Sequence, residues 1–193
     1  MWRVWACLLT LALGSGCATV ENEESQRRAV EELTARLEKL GPSVDDSEAK
    51  AAAGAAVRYP LFLAQKWKVT PPAIFNNMLV NAGIHPDGLC FQWADALTEK
   101  IISLHLRTLE WHRGVARLGT SHEHSCVVLT AVGQPFAQGL ALDAWRHCGR
   151  LHWAGVLHDD YSWKEVSLSP SYLAELETGA RDVEDERSRS ASH

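Results

Sequence analysis

Along the first half of the chain, apolar residues recur at spacings of three and four, and along much of the second half they alternate. Between Ser25 and Leu40 the apolar positions Val30, Leu33, Leu37 and Leu40 are separated by charges. That spacing predicts an amphipathic helix, stopped by Gly41-Pro42. It could pack on a following domain or stand as a stalk. Asp46–Tyr59 is Ala-rich and predicts a second helix, kinked or restarted at Pro60. Thr70-Pro71-Pro72 predicts an N-cap followed by proline at the first helical positions. The helix it opens runs through Ile74, Phe75, Met78 and Leu79 and ends at Gly83.

Pro86-Asp87-Gly88 is a tight-turn signal, and a long helix is expected after it, from Cys90 to about Leu109. Its apolar stripe is Ala94, Leu97, Ile101 and Leu104. After Glu110 the period shortens. Val115–Leu118, Glu123–Ala131, Leu140–Arg146 and Leu151–Leu157 are short β-prone runs divided by glycine-containing breaks. Helices first and an antiparallel sheet afterwards is the α+β class. Residues 178–193 hold seven charges and three serines, and predict a disordered charged tail.

The extreme N-terminus changes the context. Met1-Trp2-Arg3 supplies a positive start, and Val4–Leu13 is an apolar run about half the ~20 residues needed to cross a bilayer. That predicts a secretory signal over residues 1–16. Leu13-Gly14-Ser15-Gly16-Cys17 then resembles the lipobox of bacterial lipoproteins, whose cysteine is diacylated and becomes the mature N-terminus. The resemblance implies lipidation at Cys17, and Ala18 after it implies the outer membrane, facing the periplasm. Residues 17–45 would then be a tether plus the amphipathic helix.

The chain carries a net charge of −5, and loss of residues 1–16 removes Arg3 and no acid. A mildly acidic protein with no basic stripe is not expected to bind nucleic acid. Of the five cysteines, Cys7 leaves with the signal and Cys17 becomes the anchor. Cys90, Cys126 and Cys148 remain, so at least one thiol is unpaired in an oxidising compartment.

Cys90 sits in Gly88-Leu89-Cys90-Phe91-Gln92-Trp93, where a turn opens a helix. A thiol in the first helical turn meets unpaired N–H groups and the positive dipole end, both of which favour thiolate. Downstream, strand periodicity places His122, His124, Cys126 and Val128 on one face of their strand. On the next strand Asp143, Trp145 and His147 share a face. If the two strands form a hairpin, an imidazole and a carboxylate meet across the ladder. With the start of the helix against that face, Cys90, His124 and Asp143 have the residue types of nucleophilic catalysis; His122 is the alternative base. Gln92, Asn76, Asn77 and Asn81 are candidate oxyanion donors beside the Cys90 N–H. Trp93 and Trp145 could wall a substrate cleft, as could Trp153, and Arg146 could bind a substrate carboxylate or pair with acids.

In this order and spacing, Gly88-Leu89-Cys90 at a helix start, His124 on one strand and Asp143 on the next resemble the transglutaminase-like branch of the papain-like thiol hydrolases. The resemblance covers roughly residues 70–165. It implies a transglutaminase-like domain over residues 46–177 and a Cys–His–Asp triad acting on peptide-type amides, with no cofactor. The implied partner is a peptide or protein substrate, such as a peptidoglycan peptide, reached from a lipid anchor in the membrane. Two other functions remain open. The same cleft could bind peptides without catalysis, or His122, His124 and Cys126, with Asp143 or His147 opposite, could hold zinc by ligand type.

Overall fold

The computed structural model describes residues 23–190, the side chains of 185–190 excepted. The signal, Cys17 and the lipobox lie outside the described residues. Four helices come first: α1 (Glu23–Glu38), α2 (Asp46–Lys66), α3 (Ala73–Asn81) and α4 (Cys90–Ile102). Five strands follow: β1 (Leu109–Ala116), β2 (His124–Ala131), β3 (Leu140–Asp143), β4 (His152–Gly155) and β5 (Lys164–Glu165). A last helix, α5, runs over Pro170–Ser190. The fold is α+β, with N-terminal helices and the helix that starts at Cys90 packed on a five-stranded sheet. Strand order is β4-β3-β2-β1-β5, and every pairing is antiparallel.

β2 is the centre of the molecule, with all eight of its residues buried. Its alternation feeds two apolar layers. Val127 and Leu129, with Leu140 and Leu142 of β3, pack under Trp93, Leu97 and Ile101 of α4 and under α1 and α2. Cys126 and Val128, with Ala141, face the opposite way, against Val156 and Trp163. α1 is no free stalk: Leu33 and Leu37 are fully buried in the main core beside Ala52, Ala53 and Ala56 of α2. Alanines on that face let the two helix backbones approach closely. Pro60 lies inside α2, which continues past it to Lys66.

Four expectations need correction. The helix from Cys90 stops at Ile102, and Leu109 already belongs to β1. Glu48 of α2 explains the break: its carboxylate accepts from the N–H groups of Arg107 and Thr108 and from the Thr108 hydroxyl, pinning the connection. Thr70 does not cap α3, which begins at Ala73 after Pro72; the Thr70 N–H instead donates to Asn76 Oδ1. Residues 178–190 are helical, because Leu176 and Ala180 bury one face of α5 against the body of the protein. Lastly, α4 does not lie on the face that carries His124. It packs on the Val127–Leu129 face, and only its first residue reaches the histidine, around the start of β2.

Candidate active site

The turn before α4 is fastened from several sides. Gln92 Oε1 accepts from the N–H groups of Gly88 and Leu89, at 3.0 and 2.8 Å, and its Nε2 donates to Asp87 Oδ1. Trp93 Nε1 donates to the Gly88 carbonyl at 3.1 Å. Gly88 has φ +126°, and a Cβ there would stand 2.3 Å from the side-chain nitrogen of the buried Asn76. Only glycine fits that backbone and that approach. The result is a rigid entry into the helix, with Cys90 in its first turn, half-buried and with a free thiol. The Cys90 N–H is among the first-turn donors that an α-helix leaves without an intrahelical acceptor.

His124 opens β2 on the next layer, 3 % exposed. Register does the rest. β2 and β3 pair Val127 with Leu142, so one step further Asp143 stands opposite Cys126, diagonal to His124 and on its face. His124 Nε2 donates to Asp143 Oδ2 at 2.7 Å, with Asp143 only 1 % exposed. The Cys90 thiol hydrogen-bonds the Glu123 carbonyl at 3.6 Å, next to the same imidazole, with which it interacts electrostatically. His124 Nδ1 is buried and makes no hydrogen bond, so it is the ring nitrogen not already engaged. The structure thus brings Cys90, His124 and Asp143 together. His122 is exposed on the preceding turn and takes no part.

Aromatic rings surround the imidazole. Trp145 and Tyr161 lie 4.7 Å from it, and Trp163 lies 5.4 Å away, centroid to centroid. Burial opposes a charged ring, but the hydrogen bond to Asp143 and the nearness of Cys90 outweigh it and raise the His124 pKa to about 9. Burial likewise opposes the Asp143 carboxylate, but His124 and Arg146 together hold its pKa below the ordinary value. Arg146 Nε donates to Asp143 Oδ2 at 3.0 Å, and its Nη2 donates to Asp159 at 2.8 Å. The Trp145 and Arg146 N–H groups donate to Asp143 Oδ1. Asp143 is therefore anchored on every side, and it orients the imidazole beside the thiol. That geometry suits proton shuttling in attack by sulfur on an acyl carbon.

The remaining candidates sort by what they touch. Gln92 is used up by the turn, and Trp93 is 2 % exposed, stacked edge-on against Trp67 at 4.6 Å, so it fills core and walls no cleft. Asn81 is exposed at the end of α3, and Asn76 holds Thr70 and His85. Asn77 accepts from Trp145 Nε1 at 2.9 Å, which ties α3 to the site, while Asn76 Nδ2 is buried without a partner. Trp145 does border the site. Arg146 is spent on two aspartates rather than open to substrate. Asp159, Tyr161 and Trp163, after β4, were not anticipated; the Asp159-Asp160-Tyr161 run has no periodic pattern to mark it.

Burial pushes the Cys126 and Cys148 thiols upward. Among the described residues no group of three or more His, Cys, Asp or Glu is arranged to hold a metal ion. His122 and Cys126, two members of the zinc alternative, are separated into an exposed turn and a sealed layer. No described helix is long and apolar enough to cross a membrane. No family model, curated protein or solved structure matched this chain.

Proposed function

We propose that this protein is a thiol hydrolase or acyltransferase acting on peptide-type amide bonds, held in the bacterial cell envelope by a lipid on Cys17. The observation that carries it is the 2.7 Å bond between His124 Nε2 and the buried Asp143, on an imidazole whose other side meets Cys90. Cys90 gives its thiol proton to His124 as its sulfur attacks the carbonyl carbon, and the oxyanion is held by the Cys90 N–H and the Asn77 amide. Protonated His124 passes its proton to the leaving nitrogen as the C–N bond breaks, giving a thioester and a free amine. Water, or a second amine, then gives its proton to His124 and attacks the thioester. The acyl group leaves as acid or as a new amide, and the thiolate is restored. Asp143 keeps the ring in place throughout. An anchored protein meets peptide substrates of the envelope, among them peptidoglycan peptides.

Incubation of the purified full chain with an acetyl-peptide thioester, followed by intact mass measurement, tests this directly. An acyl adduct mapping to Cys90, absent in Cys90→Ala and at least a hundredfold slower in His124→Gln, is expected. An unmodified wild-type protein with no thioester turnover would defeat the proposal.

A further inference from the structure

Beside Cys90, on the α4 side of the sheet, lies a cavity of about 330 Å³. That is within the size range of ligand sites. It shares two residues with the site: Phe91 follows Cys90 on α4, and Glu123 is the residue whose carbonyl the thiol meets. Its walls are apolar, from Phe91, Val115, Leu118 and Leu168. Phe91 and Leu118 are 46 % and 57 % exposed, more than a core residue would be. Arg113 and Ser125 also line it, and they are 4 % and 7 % exposed.

Arg113 is the unexplained group. Its Nη2 donates to Asp95 Oδ1 at 2.6 Å, and Tyr172 OH donates to the other oxygen of the same carboxylate. The positive charge is therefore balanced. Yet Arg113 Nε is buried with no partner. A buried N–H without an acceptor carries a desolvation penalty that an occupant's oxygen would remove. What the site lacks is an acceptor oxygen, since Asp95 already answers the charge. A second anion is disfavoured by Glu123, an acid on the lining.

We infer that this cavity is a substrate subsite for an uncharged peptide residue next to the bond that is broken. The residue rests an apolar side chain on Phe91, Val115 and Leu118, and its backbone carbonyl accepts from Arg113 Nε and the Ser125 hydroxyl. The role in catalysis depends on Cys90 being the nucleophile; the binding does not.

The test therefore removes the chemistry. Full-length Cys90→Ala protein in detergent micelles is titrated with N-acetyl-leucine methylamide, N-acetyl-glutamate methylamide and N-acetylglucosamine, and the backbone amide NMR signals of Phe91 and Ser125 are followed. Saturable shifts with the leucine probe are expected, with at least tenfold weaker binding of the glutamate probe and none of the sugar. Leu118→Trp, which fills the exposed mouth without touching the core, should abolish the shifts while the rest of the spectrum is retained. No shift with any probe, equal binding of leucine and glutamate probes, or binding of the sugar in preference would overturn the subsite. A positive titration alongside a failed thioester assay would leave the subsite standing and sink only the proposed reaction.

Discussion

At the scale of single residues, the molecule concentrates its ionic cost at one buried pair. His124 and Asp143 hold each other charged against the pull of burial, and Arg146 adds to the hold on the carboxylate. His124, with its pKa raised to about 9, contributes stability that is complete below its unfolded value of ~6.5 and lost as pH rises through about 9. Asp143, with its pKa lowered, contributes stability above its unfolded value of ~3.9 that is lost as pH falls. Asp143→Asn should therefore cost about 3 kcal/mol in denaturant unfolding at pH 6, since it breaks a buried charged pair. The deficit should shrink toward pH 9, and histidine NMR titration should show the His124 pKa falling below its ordinary value. A deficit independent of pH would mean that the pair does not carry the charges assigned to it.

The triad partners were legible in the sequence because parity is a strict rule: residues two apart on a strand share a face. That rule grouped His124 with Cys126 and Asp143 with Trp145, and Gly133, Pro135 and Gly139 between the strands predicted a hairpin; the register that brings the two sets onto one face is seen only in the structure. What parity cannot supply is the face on which a helix packs. The α4 placement was missed for that reason, and so was the fate of Gln92 and Trp93, whose side chains turn back on their own loop. Nothing in a spacing pattern distinguishes an amide aimed at a substrate from one aimed at a backbone N–H three residues away.

At the scale of elements, the polar C-terminal segment shows how composition misleads. Leu173, Leu176, Ala180 and Val183 fall at helical spacing among many charges, and Leu176 and Ala180 are 3 % exposed. α5 closes over α4 so tightly that a Cβ on Gly179 would stand 2.4 Å from the Glu99 carboxyl. Burial there, with Asp95 and Asp182 nearby, pushes the Glu99 pKa up to about 7. Ionising Glu99 is thus a cost in the folded state, absent at acid pH and growing as pH rises from the ordinary glutamate value of ~4.3 through about 7. Glu99→Gln should stabilise the protein at pH 8, by of the order of 1 kcal/mol because the half-buried group is partly screened, and do little at pH 4. Thermal unfolding at the two pH values checks this; equal shifts at both would show that α5 does not compress that carboxyl.

For the whole molecule, the division of labour follows from the sheet. One face is packed under helices and is built for rigidity, and the other carries His124, Cys126 and Val128 against a smaller aromatic layer. The candidate site sits at the starts of α4 and β2, where a half-buried helix-borne thiol meets a buried strand-borne imidazole. α1, at the start of the described chain, is built into the core through Val30, Leu33 and Leu37. A lipid on Cys17 would therefore hold the whole domain within a few residues of a membrane surface. Cys17→Ser should release the protein from the membrane fraction of cells that process lipoproteins. Unchanged partitioning would remove the anchor from the account without touching the site.

In the proposed reaction His124 activates Cys90. Sub-stoichiometric iodoacetamide labelling of the full chain at pH 6–9, with mass mapping of Cys90, Cys126 and Cys148, measures it most directly. The account predicts that Cys90 is labelled first at every pH, well ahead of the two thiols whose pKa values burial raises. It also predicts that His124→Gln slows the labelling at pH 6 by at least tenfold, because the imidazolium that favours the thiolate is gone. Cys90 labelled last, or at a rate indifferent to His124, would contradict it.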